Sequence, residues 1–131
     1  MVYFVGAGSG APDLITVRGA RLLNQADQII YAGSLVNPEL LDYKKESAVV
    51  YDSAKMTLEE VVEKIQEAES TGKMTVRLHT GDPCVYGAIR EQMDELDKLG
   101  VGYDVTPGVS SFSGAAAALC AEYTLPEVSQ S

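Results

Sequence analysis

Three short stretches combine residue types able to hold a small ligand. His79-Thr80-Gly81-Asp82-Pro83-Cys84-Val85-Tyr86-Gly87 gathers a hydroxyl, a glycine, a carboxylate and an aromatic ring. Gly81 lets the backbone approach a ligand closely, Asp82 offers a carboxylate, and Pro83 stiffens the turn. Pro107-Gly108-Val109-Ser110-Ser111 adds two hydroxyls beside backbone N–H groups suited to a polar ligand. Gly6-Ala7-Gly8-Ser9-Gly10 invites a dinucleotide reading, but its third glycine comes one place early and Ala11-Pro12-Asp13 delays the helix. The second apolar run ends in Tyr31-Ala32-Gly33 with no carboxylate for a ribose, and Asp27 precedes that run. The loop therefore reads as a tight turn or a substrate-side loop.

Other chemistries find little support. His79 is the single histidine, and Cys84 and Cys120 show no CxxC or metal-ligand spacing, so hydrolytic triads and zinc sites are not indicated. A structural role is equally open for several of these residues. Asp82 can cap the following helix with Pro83 at its first position, and Ser110 or Ser111 can cap the last helix. A net charge of -9 argues against nucleic acid and anionic membrane as partners. An acidic substrate remains open through Arg18, Arg21, Arg77 or Arg90. Two cysteines are too few for a disulfide scaffold, which fits a reduced cytoplasmic setting. There is no signal-peptide pattern and no apolar run near the ~20 residues that a membrane span needs.

The elements that must position these stretches alternate in type. Val2 to Val5 reads as a first, central strand, and a helix capped by Thr16 carries Ala20, Leu22, Leu23 and Ala26 inward. Gln28 to Tyr31 is strand two, Pro38 to Leu41 a helical turn, and Ala48 to Tyr51 strand three. Thr57 with Glu60 forms a capping box, after which Leu58, Val61, Val62, Ile65 and Ala68 recur at helical spacing until Gly72. Met74 to Leu78 is strand four. Its helix runs from about Ala88, buries Ile89, Met93, Leu96 and Leu99, and stops at Gly100. Tyr103 to Thr106 is strand five, and an Ala-rich helix expected to be buried reaches about Ala121. The alternation predicts an α/β fold, a three-layer α/β/α domain with a mainly parallel five-stranded sheet. The three loops then share the carboxyl rim of the sheet, where such folds bind ligands. Residues 1–123 make this domain, and 124–131, without helical or strand period, reads as the start of a linker to a second domain.

Taken together, Gly6 to Thr16, His79 to Gly87 and Pro107 to Ser111 resemble the tetrapyrrole methylase family, in order and spacing across essentially the whole chain. Tyr31-Ala32-Gly33-Ser34-Leu35-Val36 and Leu125-Pro126-Glu127-Val128-Ser129-Gln130 look most like the branch that methylates precorrin-4, or cobalt-precorrin-4, at C-11. The resemblance implies a two-domain enzyme of cobalamin biosynthesis, usually a homodimer, with S-adenosylmethionine in the cleft between its domains. It maps donor contacts to Thr80, Gly81, Asp82, Val85, Tyr86, Ser110 and Ser111, and places the N-terminal glycine loop on the substrate side. Many relatives carry proline where this chain has Ser9. Uroporphyrinogen methylases carry an aspartate where this chain has Ala32-Gly33, so no acid/base role transfers there.

Methyl transfer from a sulfonium needs proximity, alignment and exclusion of water more than acid–base chemistry, so no catalytic base is assigned. Gly81 and Asp82 are expected to position the donor, Val85 and Tyr86 to pack its apolar parts, and Arg18 or Arg77 to meet the substrate's carboxylates. Two other readings stay open. One is another methylase of the superfamily, a diphthine synthase or a ribosomal-RNA methylase. The other is an isolated domain that catalyses nothing and serves as a dimerisation unit.

Overall fold

Val76 and Leu78 are buried on one face of their strand, and Thr75, Arg77 and His79 on the other. A strand with no wet side belongs inside a parallel sheet covered by helices on each face. The computed structural model, which describes residues 1–33 and 36–124, places it there. Five parallel strands, β1 (Val2–Gly6), β2 (Gln28–Tyr31), β3 (Val49–Asp52), β4 (Thr75–His79) and β5 (Tyr103–Thr106), stand in the order β3-β2-β4-β1-β5. The expectation of a central first strand is thereby corrected. β1 is interior, but the connection from β1 to β2 skips one place, and β4 later fills it as the middle strand.

Helices cover both faces. Leu22 and Leu23 of α1 (Val17–Gln25) pack with Val5, Ile29, Val76 and Leu78 on one side. Val61 and Ile65 of α2 (Leu58–Ser70), and Ile89, Met93 and Leu96 of α3 (Ile89–Leu99), pack with Val2, Phe4 and Ile30 on the other. The chain leaves β1 through the α1 layer toward one sheet edge, and leaves the neighbouring β4 through the α3 layer toward the other edge. Adjacent strands whose connections diverge in this way open a crevice at their carboxyl ends.

Local signals set most boundaries. Thr16 Oγ1 accepts from the Gly19 N–H at 2.9 Å, the Thr57–Glu60 capping box is formed, and Gly100 ends α3 in the left-handed region at φ 69°. β3 and β4 each lie one residue later than expected, at 49–52 and 75–79. Leu99, expected inside, is 41% exposed at the last residue of α3. The larger correction concerns α4 (Ser111–Ala118), which is shorter than expected and has no buried residue. Phe112 and Leu119 are 64% and 77% exposed, and Phe112 stacks on Tyr123 with ring centroids 4.5 Å apart. Its apolar composition predicts a buried helix, and nothing among the described residues buries it. Ser34, Leu35 and residues 125–131, including the expected linker, lie outside the described residues.

Candidate functional site

The three loops of the carboxyl rim meet through their backbones. The Gly8 N–H donates to the Gly81 carbonyl at 3.2 Å, and the Gly81 N–H donates to the Gly8 carbonyl at 2.9 Å, an isolated antiparallel bridge between the loops that follow β1 and β4. A Cβ on Gly6 would lie 2.6 Å from both the Gly108 Cα and the Gly81 carbonyl oxygen, and one on Gly108 would overlap that same carbonyl. Glycine at 6 and 108 is thus what allows the loops after β1, β4 and β5 to cross in contact.

Asp82 fastens this crossing. One carboxylate oxygen accepts from the Cys84 N–H at 2.8 Å and the other from the Gly108 N–H at 3.0 Å. The first bond closes a local turn, reinforced by the Val85 N–H donating to the Asp82 carbonyl at 3.1 Å. The second ties that turn to the loop after β5. Asp82 does not cap the following helix. α3 starts seven residues later, and its N-cap position, Ala88, makes no side-chain capping bond. Ser110 occupies the N-cap position of α4, also without a side-chain capping bond, so its hydroxyl is not spent on the helix and the first-turn N–H groups receive no cap from it.

Above this backbone floor lies a cavity of about 410 Å³. Thr80, Gly81, Asp82, Val85, Tyr86, Ser110 and Ser111, the residues singled out from sequence, all line it. Gly8 and Ser9 line it as well, so the loop that the resemblance places on the substrate side borders the same cavity. The signal was in the spacing. A glycine two places past β1 is what lets the chain fold back and pair with Gly81. At the mouth, Val85 is half exposed and Tyr86 fully exposed, and Tyr86 and Ala88 hold φ at 57° and 51°.

Several other candidates do not reach the cavity. Arg77, expected to meet substrate carboxylates, is buried under α3, where its Nε donates to Gln92 Oε1 at 2.9 Å and its Nη1 to the Ile30 carbonyl at 3.1 Å. Burial lowers its pKa to about 10. Arg90 is exposed and pairs with Asp94 at 3.6 Å, and Arg18 and Arg21 are exposed on α1. His79 is buried against Phe4, with ring centroids 5.9 Å apart and Nε2 lacking a partner. Desolvation, aided by the nearby Arg77 charge, pulls its pKa down to about 3, so it is neutral and structural. Asp27 lies on the opposite rim, where it binds Lys45 at 2.6 Å and the Met74 N–H at 2.8 Å, so it cannot serve a ribose in the crevice. Among the described residues no cluster of His, Cys, Asp and Glu is arranged for a metal, and no helix is long and apolar enough to cross a membrane.

The family model described as Tetrapyrrole (Corrin/Porphyrin) Methylases matches residues 1–131. The chain belongs to this family. It is 56% identical to the cobalt-precorrin-4 C(11)-methyltransferase of Methanocaldococcus jannaschii over 129 residues, 98% of this chain and 50% of that protein. It superposes with a TM-score of 0.95 on the crystal structure of a cobalt precorrin-4 methyltransferase, at 50% identity, covering 99% of this chain and 54% of that one. A uroporphyrin-III C-methyltransferase from Thermus thermophilus, solved with S-adenosyl homocysteine, matches with a TM-score of 0.77 at 30% identity, covering 99% of this chain and 52% of that one. The chain thus spans about half the length of the relatives it matches.

Proposed function

We propose that this chain forms the donor-binding half of an S-adenosylmethionine-dependent methyltransferase that methylates precorrin-4 or cobalt-precorrin-4 at C-11. The observation that carries the donor assignment is the cavity at the crossing of the Gly6, Gly81 and Gly108 loops. Its volume of about 410 Å³ falls within the range of small-ligand sites. Its chemistry fits the donor. Main-chain groups of the glycine loops, the Thr80, Ser110 and Ser111 hydroxyls and the uncapped start of α4 suit ribose hydroxyls and an amino-acid end. Val85 offers an apolar wall. The substrate assignment rests on the relatives at 50% identity and above.

When bound, the donor's sulfonium offers a methyl group that an electron-rich ring carbon displaces in line. The chain's own residues contribute placement. Gly81 (φ 61°) turns its peptide groups along the cavity, with the Ser110 Cα only 3.4 Å from where a Cβ would stand. Asp82 acts as a brace, holding the Gly81 and Gly108 loops in one arrangement so that the donor meets preformed walls. No residue here is assigned as a base. Residues 1–123 are the working unit of this proposal, and a cytoplasmic homodimer belongs to the same reading. The charge of -9 supports partners other than nucleic acid or an anionic membrane.

Isothermal titration with S-adenosylhomocysteine tests the donor site, with Gly81→Ala expected to weaken binding. Transfer of a labelled methyl group by the full-length protein to cobalt-precorrin-4 or precorrin-4, with ribosomal RNA offered in parallel, tests the acceptor. Incorporation into RNA alone would reject the proposal.

A further inference from the structure

Tyr86 is held in an unfavourable backbone conformation and gains no burial from it. Its side chain is fully exposed, yet its φ is 57°, a region that residues with a side chain seldom adopt. Two residues on, Ala88 repeats this at φ 51°. Between them Gly87 sits so close to the Pro83 carbonyl that a Cβ there would overlap it. The turn is therefore tightly determined, and what it achieves is to stand an aromatic ring in solvent at the mouth of the donor cavity. Strain kept where it yields no packing is characteristic of positions shaped by a ligand.

The donor cavity is lined by residues of three loops that meet through their glycines. The large side chains that line it are Val85 and Tyr86, and both are exposed, so an acceptor that approaches the donor's methyl group from solvent meets them. A conjugated tetrapyrrole presents a broad π face, which an exposed aromatic ring meets in an offset stack. We infer that Tyr86 is a stacking platform for the acceptor macrocycle and not a wall for the donor. This rests on the proposed function for the nature of the acceptor, but not on which ring carbon is methylated. The phenol hydroxyl is not required, because the contact is made by the ring.

The experiment compares Tyr86→Ala and Tyr86→Phe with the wild-type chain, using two probes. Uroporphyrin I, a stable flat polycarboxylate tetrapyrrole, is titrated by the shift of its Soret absorption, and S-adenosylhomocysteine is titrated by calorimetry. Because Tyr86 is fully exposed, both variants are expected to fold, and a thermal melt checks this. The expected result is a loss of about tenfold in porphyrin affinity for Tyr86→Ala, retention for Tyr86→Phe, and S-adenosylhomocysteine affinity within about twofold throughout. Unchanged porphyrin affinity in Tyr86→Ala overturns the inference, as does an equal loss for S-adenosylhomocysteine or a wild-type chain that leaves the Soret band unmoved. The two readings fail separately. Tyr86-dependent porphyrin binding without S-adenosylhomocysteine binding removes the donor assignment and leaves the platform standing. The reverse pattern removes the platform alone.

Discussion

Because His79 is the only histidine, one substitution isolates its contribution to stability. In the folded chain burial and the neighbouring Arg77 hold its pKa at about 3, whereas an unfolded chain titrates near 6.5. Between these values the unfolded state takes up a proton that the folded state refuses. Lowering the pH through about 6.5 therefore favours unfolding, and the loss continues until about pH 3. At about pH 7.5 the unfolded imidazole is nearly all neutral and the penalty is close to nil. At about pH 5.5 roughly nine-tenths of it is protonated, which costs the folded state about 1.4 kcal/mol. Urea titrations followed by far-UV circular dichroism at the two pH values give the difference. The same pair on His79→Leu removes the imidazole and leaves the carboxylates and amino terminus as they were. The wild type is expected to lose about 1.4 kcal/mol more than the variant between the two values. Equal losses in both proteins would show that His79 is solvated or charged in the folded state, and would refute its assignment as a buried neutral side chain.

Two further outcomes follow from the rim. Gly108→Ala forces a methyl group into the Gly81 carbonyl and is expected to cost about 1–3 kcal/mol in urea unfolding while abolishing S-adenosylhomocysteine binding. Asp82→Ala leaves the Cys84 and Gly108 N–H groups without their acceptors, an expected loss of about 2 kcal/mol with weaker S-adenosylhomocysteine binding. Asp82→Asn keeps one of the two acceptors and should fall between it and wild type in both measurements.

Features written within a few residues of one another were legible in the sequence. Thr57 and Glu60 form their capping box, Thr16 caps α1, and Gly100 stops α3, because each needs only neighbours one turn away. The carboxyl-rim placement of the Gly81 and Gly108 loops was legible too, since it follows from strands alternating with helices. What distant partners decide was not. The acceptor role of Asp82 is fixed by Gly108, 26 residues along the chain, and nothing local separates that from a helix cap. Arg77 reads as a free cation until α3 lays Gln92 over it. The middle place of β4 depends on which strand fills the gap between β2 and β1. Composition misled most at α4, where an alanine-rich run reads as core but the helix holds no buried residue.

The meeting of Gly6, Gly81 and Gly108 also bears on how such a site can diversify. Peptide groups present the same amides and carbonyls whatever side chains surround them, and a side chain at Gly6 or Gly108 would overlap the backbone of the facing loop. At those two positions substitution has little to exchange without moving the loops. New acceptors must therefore be accommodated by the projecting residues of the mouth, with Val85 and Tyr86 foremost. The glycine crossing, which tolerates little change, is in this way separated from the projecting residues, which tolerate more, and a change of substrate need not disturb the methyl source.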